Sequence, residues 1–207
     1  MKRNWYIVAA MLITVCTFAP SSSAQQAQAR PRSSGLFVGL DMEADGVNTH
    51  VAQGGIWTRE LGGGGGLLLG YGFTPRWSLY SELSDAAIEQ TGGGTYSLEH
   101  LDVGARIHFR AGANVVPFAQ FGFSGRRMIQ HFPAYPGTST TLSRSGGVGF
   151  GAGVNIHFNP AFAISGSATW TVGNFEVYKV NNDRAAGVNW YAMSGRVHLG
   201  MVWFPGA

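Results

Sequence analysis

The chain has very little charge and almost no cysteine. Asp, Glu, Lys and Arg together make up 12% of its 207 residues, lysine occurs only at positions 2 and 179, and Cys16 is the single cysteine. One cysteine excludes an intramolecular disulfide and the cysteine clusters that hold structural zinc. A soluble surface carries roughly 25–35% charged residues, so a protein whose whole outside meets water is not expected.

A strong charge excess is also missing, and the one long apolar run lies at the N-terminus. The formal net charge is +3, and Lys2 and Arg3 contribute two of the positive charges, so no nucleic-acid partner is indicated. Residues 5–19 are apolar and are followed by Ser22-Ser23-Ala24, a pattern typical of a cleavable secretory signal and shorter than the ~20 residues of a spanning helix. We predict a signal peptide at 1–24, a flexible polar linker at 25–34 and one folded domain at 35–204.

Apolar residues alternate with small or polar ones through most of that domain. In residues 146–158, Val148 and Phe150 belong to an apolar face, while Asn155 and His157 lie on the other. Period-two alternation predicts a strand with different surroundings on its two faces. Eight segments show the pattern, at residues 36–43, 65–73, 77–85, 96–110, 115–126, 146–158, 162–173 and 190–204.

The connections between these segments alternate between short and long. Residues 74–76, 111–114 and 159–160 are short links of Pro, Gly and Asn, which favour tight turns. Residues 44–64, 86–95, 127–145 and 174–189 are predicted to be long loops. Short turns at one end and long loops at the other are typical of an up-and-down meander, and an even strand count lets the sheet close. The predicted fold is all-β, an eight-stranded antiparallel up-and-down barrel.

Three features place the apolar face in lipid rather than inside a soluble barrel of the lipocalin type. The opposite face is rich in Gly, Ala, Ser and Thr, which suit the crowded lumen of an eight-stranded barrel. Each strand offers the ~9–11 residues that cross a bilayer when tilted. Aromatic residues of the apolar face lie beside the short turns, where they are predicted to form a girdle on the periplasmic side: Phe73, Trp77, Phe109, Phe158, Phe162 and Trp203.

On these features, residues 35–204 resemble the eight-stranded outer-membrane β-barrel family of diderm bacteria, similar to the transmembrane domain of outer-membrane protein A. The resemblance implies the cell outer membrane as the location, with outer-membrane lipids and the barrel assembly machinery as partners. Family members usually end in an aromatic residue that this machinery recognises. Here the outward series ends at Trp203, and residues 204–207 follow it.

The predicted inward face carries charged residues that a narrow lumen cannot leave isolated, since desolvation of each would cost several kcal/mol. We expect them to pair into a salt-bridge network that plugs the barrel; the alternative is scattered polarity around trapped water. The residues are Asp41, Glu43, Glu82, Asp102, Arg106, Arg126 and Arg196.

No catalytic, cofactor-binding or metal site is expected. The glycine run at 62–66 is followed by no predicted helix, which makes a phosphate-binding loop improbable. The inward histidines, His108, His157 and His198, lack the spacing of a metal motif. Ser97 and His100 differ in parity, so they do not assemble the pair that a lipid hydrolase needs. An enzyme is therefore not predicted.

The leading functional hypothesis is a structural or surface-interaction protein that works through its long loops. Those loops could bind host factors or surface polysaccharide. The alternative is a narrow channel for small or apolar solutes, suggested by the many lumen glycines, and a lipid-modifying enzyme is a distant third. The loop residues singled out are His50, Trp57, Arg59, Arg127, His131, Phe132, Tyr135, Lys179 and Arg184.

Overall fold

The computed structural model describes residues 33–50, 57–90, 94–131, 139–143, 147–180 and 183–205. The predicted signal peptide and nearly all of the predicted linker lie outside these ranges and stay predictions. Within the described part of the chain, no helix is long and apolar enough to cross a membrane. The strands are β1 Gly35–His50, β2 Trp57–Gly72, β3 Trp77–Glu89, β4 Thr95–His108, β5 Val115–His131, β6 Ser139–Ser143, β7 Val148–His157, β8 Phe162–Val180 and β9 Asp183–Trp203.

The strands close into one antiparallel barrel. From β1 to β5, and again from β7 to β9, each strand pairs with the next one in the chain, and β9 returns to pair with β1. β6 and β7 share one position between β5 and β8: β6 pairs with the end of β5 and β7 with its beginning. Nine segments therefore fill eight positions, and the predicted eight-stranded barrel is confirmed.

We call the end of the barrel that holds the short turns the lower end. Thr74 closes the first turn, because its hydroxyl accepts a hydrogen bond from the backbone N–H of Trp77 at 3.0 Å. Asn159 closes the third, where its side-chain oxygen accepts from the N–H groups of Ala161 and Phe162, both at 2.8 Å. These side chains satisfy backbone donors that the sheet leaves free, and so they hold consecutive strands antiparallel.

The prediction of long loops at the upper end is wrong for much of their length, because many of these residues lie in strands. β1 and β2 form one ladder from the pair Gly35 and Gly72 up to the pair His50 and Trp57. The glycine run 62–66, which begins inside the predicted loop 44–64, lies in the middle of this ladder. The extra residues are held by cross-strand hydrogen bonding, which does not depend on which face is apolar.

Large apolar side chains cover the outside of the barrel, and charged ones fill its inside. Leu69 and Leu199 are 50% and 57% exposed, whereas Arg106 and Arg196 are 3% and 1% exposed. This is the reverse of a soluble protein, in which charged groups face outward and apolar groups inward. The predicted orientation of the two strand faces is therefore the one that the structure has.

Near the upper end the same strands reverse their polarity. On β3 the outward series runs from Leu79 and Leu83 to Asp85 and Glu89, while the inward series changes to apolar residues at Ile88. On β4 the outward Glu99 and the buried Leu98 show the same reversal. A strand segment with charge outside and apolar groups inside is surrounded by water. The lipid-facing part of the barrel consequently ends near Asp85.

Candidate functional site

Charged side chains cross the middle of the barrel interior. They come from alternate positions of β1, β3, β4 and β9, so the pleat of each strand aims them inward. All are buried except Asp41, which is half-buried. We call this set the charged layer; it consists of Asp41, Glu43, Glu82, Asp102, Arg106, Arg196 and His198.

Arg196 joins β9 to the opposite side of the lumen. Its guanidinium donates to Asp102 on β4. It also donates to the hydroxyl of Ser84 on β3 at 3.4 Å. The Arg196 and Asp102 side chains are 1% and 6% exposed, so each offsets a charge that would otherwise be isolated from water.

Arg106 is held by charge and by aromatic faces together. Its Nη2 lies 3.5 Å from Glu82 Oε2, and its Nε donates to Gln120 at 2.8 Å. The guanidinium carbon lies 4.6 Å from the ring centre of Tyr80 and 4.8 Å from that of Phe118. A planar cation between two rings is stabilised by their π-electrons and is fixed in orientation.

His198 faces several carboxylates through one ring nitrogen. Its Nδ1 lies 3.2 Å from Asp41 Oδ1, 3.2 Å from Glu82 Oε1 and 3.6 Å from Glu43 Oε2. A cavity with about 10 Å³ of space for the centre of a water molecule adjoins this group, lined among others by Asp41, Glu82 and His198. Because one nitrogen carries at most one proton, the three carboxylates cannot all be satisfied by the imidazole.

Arg126 lies above the other predicted members of the network. Its guanidinium donates to the carbonyl of Ala192 at 3.0 Å and to the hydroxyl of Ser194 at 3.4 Å, and both residues precede Arg196 on the descending strand β9. The guanidinium carbon of Arg126 lies 5.4 Å from the ring centre of Phe175. The structure thus brings six of the predicted residues into the charged layer. It places Arg126 higher in the lumen, beside the apolar side chains that lie above the charged layer.

One buried pair lies outside the predicted set. His100 Nε2 is 3.2 Å from Asp45 Oδ2, and both side chains are fully buried. Asp45 shares the parity of Asp41 and Glu43, so continuing the β1 alternation past residue 43 would have placed it inside. It was missed because the predicted strand ended too early.

Apolar side chains fill the lumen above and below the charged layer. The upper layer consists of Val47, Ala86, Ile88, Tyr96, Leu98, Phe175 and Ala192, with Met128 against it. The lower layer consists of Phe37, Leu68, Tyr80, Ala163, Val202 and Phe204. Phe204 follows the last strand and turns inward, where its ring centre lies 5.8 Å from that of Phe37 and 5.2 Å from that of His157.

A family model described as "Outer membrane protein beta-barrel domain" matches residues 8–194 of the chain. The chain belongs to this family. It is an integral protein of the outer membrane, with the short turns on the periplasmic side and the upper end outside the cell, as in other barrels of this kind.

Solved structures share the fold. Neisserial surface protein A has a TM-score of 0.61 at 18% identity, with 82% of this chain and 97% of that chain covered. OprG of Pseudomonas aeruginosa has a TM-score of 0.52 at 13% identity, with 84% and 97% covered. AlkL, an outer-membrane protein studied in lipid bilayers, has a TM-score of 0.55 at 9% identity, with 90% and 99% covered. No curated protein sequence matches the chain.

The aromatic residues predicted for the periplasmic girdle all lie on the outside of this outer-membrane barrel, at its lower end. They are between 36% and 63% exposed. Phe158 stacks on Phe162 with ring centres 6.1 Å apart, and Phe162 stacks on Trp203 at 6.5 Å. Stacked rings at this depth can sit among lipid headgroups with their faces toward acyl chains.

Ser97 and His100 lie on opposite faces of β4. Ser97 faces outward and donates a hydrogen bond to Asp85 on β3, whereas His100 is buried inside. A serine and a histidine on opposite sides of the barrel wall cannot act as nucleophile and base in one reaction.

The residues assigned to long loops lie mostly in strands. Arg59 is on β2 and Arg127 on β5, both exposed on the outer face. His50, Trp57, His131, Lys179 and Arg184 fall within the upper parts of β1, β2, β5, β8 and β9. Phe132 and Tyr135 lie outside the described residues. Among the residues that the structure describes, the upper end of the barrel is therefore built largely from extended strands.

Proposed function

We propose that this outer-membrane barrel is a surface-interaction protein whose working part is the strand wall above the membrane. The observation that carries the proposal is strand length. A tilted strand crosses a bilayer in about 9–11 residues, and β8 and β9 contain 19 and 21. The roughly ten additional residues rise ~3.3 Å each along a strand tilted near 45°, so they carry the upper rim roughly 20 Å above the membrane.

The outward face of that upper wall is charged, which favours contact with polar molecules. Asp85, Glu99 and Arg127 are register neighbours across β3, β4 and β5, and Arg127 Nη1 lies 3.4 Å from Glu99 Oε2. Their side chains face away from the lumen at a height where lipid no longer covers the barrel. They could recognise surface polysaccharide or protein, and Neisserial surface protein A, which has the same fold, is itself named a surface protein.

A channel has less support, because the described interior is filled from bottom to top. Two apolar layers enclose the charged layer, and the cavity beside His198 has about 10 Å³ of space for a water centre, near the minimum for a single molecule. A lumen filled in this way offers no continuous path for a solute. An enzymatic role is not proposed either, since Ser97 and His100 are separated by the wall.

The test is to shorten the wall without disturbing the membrane-spanning part. A variant in which residues 177–187 are replaced by a short Gly-Asn-Gly turn keeps Phe175 and the upper apolar layer. Cells displaying the variant are compared with wild type for adhesion to one another, to epithelial monolayers and to immobilised polysaccharide. We expect the shortened barrel to assemble, as judged by heat-modifiable gel migration, and to lose at least one form of adhesion.

Ser78→Ala is the matched control, because Ser78 faces the lumen and contacts His108 at 3.1 Å. It leaves the outer surface unaltered and is expected to behave as wild type in adhesion. If the shortened barrel assembles and adheres in every assay as wild type does, the β8–β9 wall is not the interaction surface.

A further inference from the structure

Ligands of a kind that bind metal ions converge inside the barrel. One oxygen of Asp41, one oxygen of Glu82 and a ring nitrogen of His198 all lie within 4.8 Å of one another. They come from β1, β3 and β9, and the closed register of the barrel brings them together. This group lies in the charged layer, below the wall that we propose as the interaction surface, and has no role in that function.

The neighbouring guanidiniums make their short ion pairs with Asp102 and Glu82, so their charges act on Asp41 and Glu43 only from a greater distance. Arg196 is hydrogen-bonded to Asp102, and Arg106 pairs with Oε2 of Glu82, whereas His198 lies against the other oxygen of Glu82, Oε1. Within the described residues, Asp41 and Glu43 form ion pairs with His198 only. The half-buried Asp41 and the buried Glu43 therefore share one imidazole, although charges held away from water are ordinarily matched.

Glu43 is a second, independent observation at this group. Its side chain is fully buried, and among the described residues neither of its carboxylate oxygens has a hydrogen-bond partner. Its Oε2 points toward His198 Nδ1 from 3.6 Å. A cation bound beside His198 would supply the positive charge that this buried carboxylate lacks.

The adjoining cavity has the size for such a cation. It holds about one water-sized centre, and its lining includes Asp41, Glu82 and His198. We propose that this cavity is a binding site for a divalent transition-metal ion of the zinc class. Imidazole nitrogen with carboxylate oxygen is a donor set that zinc accepts, whereas calcium and magnesium prefer oxygen alone.

In this assignment His198 Nδ1, Asp41 Oδ1 and Glu82 Oε1 are ligands, and Glu43 is the third carboxylate, which completes the charge balance. A divalent ion with a neutral imidazole offsets the charges of Asp41 and Glu43. The site also ties β1, β3 and β9 together across the lumen, so metal binding stabilises the closed barrel. The histidine spacing in the sequence gave no sign of it, because only one ligand is a histidine.

The experiment uses untagged mature protein refolded into detergent with ZnCl2 or with EDTA. Free metal is removed by gel filtration, bound zinc is counted by elemental mass spectrometry, and unfolding in urea is followed. We expect about one zinc per folded barrel and a higher urea midpoint in the zinc-loaded sample. Refolding with Co2+ in place of zinc should give visible ligand-field absorption, a direct sign of coordination that needs no variant.

Variants separate this site from zinc bound elsewhere. His198→Ala and Asp41→Asn should each lower zinc affinity at least tenfold, while His157→Ala, a change in another buried histidine, should keep the wild-type stoichiometry. Heat-modifiable migration identifies the folded fraction of each variant. Folded wild type without stoichiometric zinc and without cobalt absorption would overturn the proposal, and so would His198→Ala and Asp41→Asn variants that bind as wild type does.

Discussion

At the scale of single residues, the ion pair between Arg196 and Asp102 is expected to be the most sensitive point of the lumen. Arg196→Met leaves Asp102 buried without its partner, and breaking a buried pair in this way costs about 3–5 kcal/mol. The double variant Arg196→Met/Asp102→Leu removes both charges and should recover most of that loss. Urea unfolding in lipid vesicles measures the three free energies of unfolding.

The pair between Arg127 and Glu99 is the control for this prediction. Its side chains are 53% and 36% exposed on the outer face, so solvent screens the attraction. Arg127→Met should lower the free energy of unfolding by less than about 1 kcal/mol. Equal losses in Arg196→Met and Arg127→Met would mean that burial does not set the strength of these pairs.

Two inward glycines of β7 differ in the space around them. A Cβ added at Gly151 would lie 2.5 Å from the carbonyl oxygen of Ala168 on β8, whereas one added at Gly149 would meet nothing closer than 3.7 Å. Gly151→Ala should therefore force the strands apart and destabilise the barrel by about 1–3 kcal/mol. Gly149→Ala should be neutral or stabilising by up to about 1 kcal/mol, because alanine restricts the unfolded chain.

The measurement for this glycine pair is the temperature at which the fast-migrating folded form disappears from a gel. Both variants change the same strand, the same face and the same chemistry, and they differ only in local space. A lower transition temperature for Gly149→Ala than for Gly151→Ala would contradict the steric explanation.

The sequence predicts which residues face the lumen better than it predicts their contacts. Parity along each strand places Glu82, Asp102 and Arg196 inside, and no further information is needed for that. Which of them meet depends on the stagger between strands, because a shift of one pair changes every cross-lumen neighbour. The meeting of Asp41 and His198, which are 157 positions apart in the chain, follows only once β9 closes on β1.

At the scale of elements, the alternation predicts the lipid-facing parts of the strands and misses the parts above. Residues 86–95 are predicted to be a loop, whereas residues 86–89 continue β3 with the apolar side chains on the opposite face. The structure explains this change: the inward Ile88 and the outward Glu89 belong to a continuing strand whose outside is now water. A reversal of the alternation within one segment is a signal that a strand leaves the membrane, and it can be looked for in sequence.

The reversal on β3 predicts that a charge added to the outer face costs more stability in the apolar band than above it. Leu79 and Ala87 both face outward, but Leu79 lies in the apolar band and Ala87 above Asp85. Leu79→Arg should destabilise the barrel by about 1–3 kcal/mol, because its height lies between the interface and the midplane of the bilayer, and Ala87→Arg by about 0–1 kcal/mol. Folding titrations in vesicles give both values.

Ile88→Arg serves as a companion change, because Ile88 is fully buried one residue from Ala87. It should prevent stable folding by placing an unpaired charge in the upper apolar layer. If Ala87→Arg is as harmful as Leu79→Arg, the membrane extends higher than the reversal indicates, and the wall outside the cell is correspondingly shorter.

At the scale of the whole molecule, the order of layers inside the barrel determines whether it conducts. An ion crossing the lumen must pass the lower apolar layer around Phe204, the charged layer, and the upper apolar layer around Phe175. These barriers act in series, so each alone is sufficient to stop a continuous column of water. The strongly held pairs of the charged layer also resist separation, since parting them exposes unmatched charge to a poorly hydrated interior.

We therefore expect the purified barrel to give no stable pore in planar bilayers. Phe204→Ala and Phe175→Ala each remove a large aromatic side chain from one apolar layer, and each variant should remain closed because the other layers are intact. Both should also lose about 3–5 kcal/mol of stability. The double variant weakens both apolar layers, keeps the charged layer and should show brief openings at most. A steady large conductance from the wild-type barrel, recorded beside an open porin as the positive control, would mean that the layers part in the membrane, and the channel would then replace the surface role as the better account of the lumen.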